Sequence, residues 1–297
     1  MLSIVICSQS PTVSSTFAEN IAKTIGIPFE LVVIDNSKNK FSLTQAYNLG
    51  IERSRFPYLC FVHQDVIFRS CNWGKHIVTH LTDEDTGIIG VAGSSFISKV
   101  PASWSFSHSH FNLIQSSKNP HSKPQEMRCK SKQEVIVLDG VFLCMRKNIT
   151  DVIFFSENLE GFHGYDFVIS LKSIGYGYKN YVVNDILPEH FSIGKKNKTY
   201  YINLLKIFEL WENALPIQCE KEIAKDWLKR TDTRKLTQLL LRMSRRGFSL
   251  KQLLNTLSQY EKSAALSFSP LKRLSIFIQV TVTRLIFNKF LRRILKR

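Results

Sequence analysis

The sequence predicts an α/β protein built on a parallel, Rossmann-like sheet, followed by a basic helical region. Three observations carry this expectation. Short apolar runs rich in β-branched residues alternate with helical patterns from the N-terminus onward, in the order β-α-β-α-β. Three of those runs lead into polar residues, Ser8, Asp35 and Asp65, at the C-terminal strand edges where open α/β sheets bind ligands. Charge is also segregated along the chain. Residues Glu220 to Arg297 carry 19 Lys and Arg against 5 Asp and Glu, whereas the first 219 residues hold 21 against 19.

In chain order, Leu2 to Cys7 reads as a strand, broken by Ser8-Gln9-Ser10-Pro11 ahead of a helix with Phe17, Ile21 and Ile25 on one stripe. Phe29 to Ile34 is a second strand, ending in Asp35-Asn36-Ser37, and Ser42 to Arg53 a second helix. Tyr58 to Val62 is the most strand-like run of the chain, with Pro57 before it and His63-Gln64-Asp65 after it. Cys71 to Leu81 reads as helix and Thr86 to Ala92 as a fourth strand. Residues 98 to 132 lose periodicity and contain Pro101, Pro120 and Pro124 with His108, His110 and His121. A hairpin or lid fits that stretch better than a metal site. Glu134 to Cys144 reads as one strand with Asp139-Gly140 in its middle, Phe162 to Asp166 opens a helix running to Gly175, and Tyr178 to Asn184 is a last strand before Pro188-Glu189-His190. Thr199 to Trp211 is helical.

Composition narrows the class. With 297 residues, 44% apolar and 22% charged, the chain is not disordered throughout. Its six cysteines form no CxxC pair, and Cys7, Cys60 and Cys144 sit in apolar runs as small buried hydrophobes, so a reducing cytosol is expected and zinc is not. The first fifteen residues lack a secretory pattern, and no run reaches the roughly 20 apolar residues of a membrane span. The charge shift, with Pro216 beside it, places a domain boundary near residue 215, giving domains 1–215 and 216–297.

The motifs in the first domain resemble those of the family 2 glycosyltransferases, inverting enzymes that use nucleotide-sugar donors and have the GT-A fold. The likeness rests on Ser3-Ile4-Val5-Ile6-Cys7-Ser8, Val33-Ile34-Asp35-Asn36-Ser37, Ala46-Tyr47-Asn48-Leu49-Gly50-Ile51, the strand leading to Asp65, Asp139-Gly140, and Gly164-Tyr165-Asp166. More narrowly it is similar to the bacterial subgroup typified by a streptomycin-biosynthesis protein, in which His-Gln-Asp stands where most members have Asp-x-Asp. The resemblance implies a nucleotide-sugar donor site made by Ser8, Asp35, Asn48, Asp65 and Asp139, with Asp35 on the base or ribose. It implies a Mn²⁺ or Mg²⁺ ion on Asp65, His190 and His63, bridging the donor diphosphate, and Asp166 as catalytic base. His163 and Tyr165 would shape the acceptor site. Each position also has a bland reading: Asp35 caps a turn, Asp166 is a helix N-cap, Asp139-Gly140 is an ordinary turn, and His63 is a hydrogen-bonded structural histidine. His63 removes one negative charge from the motif and so bears directly on metal dependence.

The C-terminal region reads as three helices between 217 and 270: one with Ile223, Trp227 and Leu228, one with Leu236, Leu239, Leu240 and Met243, and one from Ser249 through Leu257. Arg245-Arg246-Gly247-Phe248 between the last two invites comparison with a helix-turn-helix, but nucleic acid is not the expected partner. Arg284 to Arg297 forms a terminal amphipathic helix, with Phe287, Phe290, Leu291 and Ile294 on one side and Lys289, Arg292, Arg293 and Lys296 on the other. Such a helix suits an anionic membrane surface, and packing on its own domain is the alternative. The expected protein is therefore a cytoplasmic glycosyltransferase, peripherally attached to the inner face of the membrane, acting on a glycan or lipid-linked acceptor in bacterial surface-glycan synthesis. Its rival is a non-catalytic sugar-nucleotide-fold scaffold or a nucleic-acid-binding protein.

Overall fold

A computed structural model describes the backbone of residues 1–117, 123–192, 194, 196–219 and 223–294, with side chains up to residue 285. The chain packs as two compact units, residues 1–97 with 107–195, and residues 98–106 with 196–297. The composition shift near 215 thus falls inside the second unit, because Lys198–Leu210 packs with the later helices rather than with the sheet.

The first unit opens with β1 (Leu2–Ser8), α1 (Ser15–Thr24), β2 (Phe29–Asp35), α2 (Leu43–Arg53), β3 (Tyr58–Val62), β4 (Val66–Phe68), α3 (Trp73–Leu81) and β5 (Thr86–Gly90). It continues with β6 (Ala92–Ser94), β7 (Phe96–Ile97), β8 (Ser109–Phe111), β9 (Leu113–Gln115), β10 (Gln125–Met127), β11 (Gln133–Val135), β12 (Val137–Leu138) and β13 (Phe142–Arg146). It closes with α4 (Tyr165–Gly175), β14 (Lys179–Val182) and β15 (Pro188–His190). Local chemistry sets several boundaries. Ser14 caps α1, and Ser42 with Gln45 forms a reciprocal capping box at the start of α2.

A seven-stranded sheet in the order β11-β14-β5-β13-β3-β1-β2 forms the centre. β1 pairs in parallel with both β2 and β3, and β14 with β5. The sheet is nevertheless mixed, since β13 runs antiparallel between β3 and β5, and β11 antiparallel to β14. Strand alternation divides the core in two. Leu2, Ile4, Ile6, Cys60 and Val62 face α1 and α3 with Ile21, Trp73 and Ile77, while Val5, Leu59 and Phe61 face α2 and α4 with Tyr47, Tyr165 and Ile169. A second sheet, β10-β9-β15-β4, stands beside it.

Two expected elements differ and a third is found. Glu134 to Cys144 is not one strand: the chain bends at Ile136, so β11 and β12 belong to different sheets, and turns again at Asp139-Gly140, after which β13 inserts separately. The strand from Thr86 breaks after Gly90, and β6 leaves for a small sheet with β12 and β8. The hairpin expected within 98–132 is present as the antiparallel pair β9 and β10, while His121 lies outside the described residues.

The second unit is helical, with α5 (Lys198–Leu210), α6 (Lys225–Arg245), α7 (Leu250–Ser263) and α8 (Pro270–Ile294). The two helices expected around Trp227 and Leu236 are one, α6. No Gly or Pro interrupts it, and its polar middle is buried: Lys235 Nζ donates to Ser98 Oγ at 2.8 Å, and Asp232 is 3% exposed. Burial brings the Lys235 ammonium down to about 8 against the pull of Asp232. The terminal helix begins at Pro270, not Arg284, because Pro fits the first helical turn and Ser269 accepts from the Lys272 N–H. The two faces expected of residues 286–297 lie outside the described side chains. Among the described residues no helix is long and apolar enough to cross a membrane.

Within the first unit, Trp73 ties α3 to α1 and β4. It is fully buried, stacks on Phe68 at 4.0 Å and donates from Nε1 to Thr24 Oγ1 at 2.9 Å. Trp73→Ala should lower unfolding stability by roughly 3–5 kcal/mol, read by urea denaturation. A loss under about 1 kcal/mol would show that α3 is not anchored there.

Candidate active site

The turn His63-Gln64-Asp65 leaves the C-terminal edge of β3, and two antiparallel neighbours bring other residues to it. β13 pairs with β3 so that Phe142 opposes Val62, which sets the preceding Asp139-Gly140-Val141 turn against His63; the His63 N–H donates to Val141 O at 3.2 Å. β15 pairs with β4 so that His190 opposes Val66, one residue from Asp65, and Phe191 N–H donates to Asp65 O at 3.1 Å. Glu189 pins β15, paired with Arg69 and accepting from Ser116 Oγ. One ligand atom each from His63, Asp65 and His190 lies within 4.8 Å of the others, the only such group among the described residues.

The imidazoles are oriented by hydrogen-bond partners. The Tyr165 hydroxyl donates to Gly140 O at 3.0 Å, so its oxygen receives the proton of His63 Nε2, 3.1 Å away. The His63 Nδ1 lone pair is then left for an electrophile. Gln115 donates from Nε2 to the carbonyls of Ser116, His190 and Ser192, which turns its Oε1 toward His190 Nδ1 at 3.3 Å. His190 Nδ1 faces that oxygen, while Nε2 lies 3.4 Å from Asp65 Oδ1 and 3.1 Å from the Ser192 hydroxyl. The donor set of two imidazole nitrogens and one carboxylate fits a divalent metal ion.

The carboxylates are tuned apart. Burial pushes the Asp65 carboxyl up, but hydrogen bonds from His190 and Ser192 and the charge of the two imidazoles outweigh it and hold Asp65 well below the usual carboxylate range. Asp166, in the first turn of α4, moves the other way. Burial and the neighbouring Asp139 push it up to about 7, against the backbone N–H groups of Phe167, Asp166 and Gly140. His63 is held below its usual value by burial and by His190, against Asp139 and Asp65, and so is neutral at pH 7. The site therefore offers an ionised carboxylate, a neutral imidazole ligand and a carboxylate that titrates near neutrality.

The sequence model of the glycosyltransferase-like family matches residues 3–203. The chain belongs to this family. Its architecture is the GT-A fold, with a helical C-terminal region. No curated protein matches this glycosyltransferase in sequence. Solved structures similar to it include S. aureus TarS 1–349 in complex with UDP-GlcNAc, at TM-score 0.53 and 14% identity over 98% of this chain and 91% of that one. GalNAc-T7 with UDP, GalNAc and Mn²⁺ is similar at TM-score 0.51 and 13% identity over 90% of this chain and 54% of that one.

Other residues expected in the glycosyltransferase's donor site fall into two groups. Ser8 and Asp35 end the adjacent strands β1 and β2. Ser8 Oγ donates to Gln64 Oε1 at 3.1 Å, tying β1 to the Asp65 turn, and the exposed Asp35 accepts from Ser37 N–H at 2.9 Å. Asp139 joins the metal group electrostatically through His63, and its Oδ1 caps Val141 N–H at 2.9 Å. Asn48 stands apart: its carboxamide clamps the Phe155 backbone in both directions, at 2.9 and 3.1 Å, and reaches Glu157. Sequence reasoning missed Gln115 and Ser192, and it gave Tyr165 only an acceptor-shaping place. Gly140 carried the one legible signal, because a Cβ there would lie 1.9 Å from the Tyr165 hydroxyl.

Tyr165→Phe removes the hydroxyl alone. It should weaken Mn²⁺ affinity by roughly 10- to 100-fold, the usual cost of losing a partner that orients a ligand, while Tm changes little. Titration calorimetry with Mn²⁺ checks this, and unchanged affinity would detach Tyr165 from the metal group.

Proposed function

We propose that this glycosyltransferase transfers a sugar from a nucleotide-diphosphate donor to a hydroxyl acceptor with inversion at the anomeric carbon. The convergence of His63, Asp65 and His190 at the C-terminal edge of β3 carries this reading. The similar structures of TarS with UDP-GlcNAc and of GalNAc-T7 with UDP and Mn²⁺ support it. A divalent ion held by these three side chains would neutralise charge on the departing diphosphate. Two nitrogen donors suit Mn²⁺ better than Mg²⁺, which prefers oxygen ligands. His63 in place of a carboxylate therefore changes the donor set without abolishing it, which favours an enzyme over a non-catalytic scaffold.

Asp35 is assigned to the donor's base or ribose, with Ser8 and Asp139 completing the donor contacts, while Asn48 serves the Phe155 backbone instead. Asp166 is the base. It takes the acceptor hydroxyl's proton as that oxygen bonds to the anomeric carbon and the bond from that carbon to the diphosphate oxygen breaks. A carboxyl at about 7 is suited to this because it is substantially ionised at neutral pH yet basic enough to accept the proton. By its His-Gln-Asp motif the chain is assigned to the subgroup resembling the streptomycin-biosynthesis protein. Its setting is bacterial surface-glycan synthesis at the cytoplasmic face of the membrane, on a glycan or lipid-linked acceptor, with residues 284–297 contributing peripheral attachment.

Asp65→Asn removes charge while keeping volume, so it should weaken nucleotide-diphosphate binding in the presence of Mn²⁺ without unfolding the protein. Thermal shift with UDP, with and without Mn²⁺, measures this, and an unaltered shift would take Asp65 out of the site.

Asp166→Asn should leave donor binding intact and lower turnover by roughly 10² to 10⁴. The base works only when deprotonated, so kcat/KM of the native enzyme should rise about tenfold per pH unit below about 7 and level off above it. The variant should lose this limb. Loss of donor binding in step with turnover, or a variant that keeps the limb, would refute the base assignment.

A further inference from the structure

One face of α8 is apolar and bare. Leu271, Leu274, Ile278, Val282 and Leu285 are 79%, 54%, 51%, 46% and 60% exposed. At about 100° per residue they fall within an arc of roughly 80°. Ile276 and Val280, on another face, are 1% and 4% exposed, and Ser244 Oγ of α6 donates to Val280 O at 3.1 Å, so the packed side of the helix is a different one. Beside the stripe an open cleft of about 870 Å³ lies between α7 and α8. Leu254, Leu257, Phe268 and Phe277 line it, and Leu274 belongs to both cleft and stripe. An uncovered apolar surface of this continuity marks an interaction site.

Charge selects the occupant. Residues 196–297 hold 22 Lys and Arg against 7 Asp and Glu. A second copy docking stripe to stripe would set two strongly positive surfaces against each other, whereas anionic headgroups complement them. Lys272 and Arg284 stand on opposite sides of the stripe, placing cations at headgroup level when the leucines enter the acyl region. We propose that α8 lies in the interface of an anionic phospholipid bilayer, with the 271–285 stripe buried among the acyl chains and the cleft beside it taking up hydrocarbon. This extends the peripheral attachment proposed above, and rests on it, but shifts its seat from the terminal residues to a surface upstream of them.

Full-length protein should float with vesicles of phosphatidylglycerol and phosphatidylcholine and not with phosphatidylcholine alone. Leu274→Glu combined with Ile278→Glu should weaken that binding about tenfold or more, with Tm and hydrolysis of a soluble nucleotide sugar unchanged. Should the pair not fold, Ile278→Trp gives a second readout: its fluorescence should be quenched by brominated phosphatidylglycerol. Anionic-vesicle binding that survives the glutamate pair, or that is lost only on deleting residues 286–297, would overturn the proposal and leave the terminal attachment standing. A dimer in light scattering that the pair dissociates, with vesicle binding unchanged, would reassign the stripe to a second copy. Vesicle binding by a protein inactive on every nucleotide sugar would refute the enzymatic reading alone.

Discussion

The hydroxyl of Tyr165 is the constraint on which the rest of the site depends. It spends its single proton on the Gly140 carbonyl and so obliges His63 to donate from Nε2, leaving Nδ1 unprotonated. This works only because residue 140 has no Cβ and because α4 starts where it does, with Gly164 at φ 87° making the turn into the helix. Tyr165 is held in turn by the aromatic packing of Tyr47, Phe61 and Phe155, with centroids 4.9–6.0 Å apart. The tautomer of one imidazole is therefore fixed by the core of the sheet, not by the surface of the cleft.

The two carboxylates Asp65 and Asp166 are driven in opposite directions. Asp65 meets two imidazoles and Ser192 and stays ionised, while Asp166 meets burial and Asp139 and titrates near 7. Groups whose surroundings drive them apart in this way suit the separate roles of charge-bearing ligand and proton acceptor that the proposed function gives them. The backbone N–H groups of Phe167 and Gly140 prevent Asp166 from rising further, so the turn that positions His63 also limits how basic the carboxylate becomes.

What could be read in the sequence was what is local. The apolar alternation of Tyr58–Val62 marks β3, Ser42 with Gln45 marks the start of α2, and the polar ends of β1, β2 and β3 lie on adjacent strands of one sheet. Pairings between distant segments leave no such trace. The antiparallel insertion of β13 between β3 and β5 follows from the turn at Asp139-Gly140, which looks identical to a bulge within a longer strand. Gln115 sits on a three-residue strand amid a stretch without periodicity, and its role is set by carbonyls 75 and 77 residues away. The false break in α6 has the same origin. Thr231, Asp232 and Lys235 separate the two apolar groups along the sequence but are buried, and Lys235 is satisfied by Ser98, more than a hundred positions earlier.

The histidine at position 63 carries a cost and a gain that share one cause. An imidazole that is neutral at pH 7 leaves Asp65 as the single anionic member of the ligand group, so a divalent ion there keeps more of its positive charge than it would between two carboxylates. Its affinity for the empty protein would fall accordingly, since coulombic attraction at these separations is strong in a partly desolvated site. The uncompensated charge is then available to a diphosphate, whose oxygens supply the negative ligands that the protein lacks. Under the proposed function, metal and donor would consequently bind with positive coupling, each raising the other's affinity by the same factor. The more the protein withholds negative charge from the ion, the larger that factor becomes.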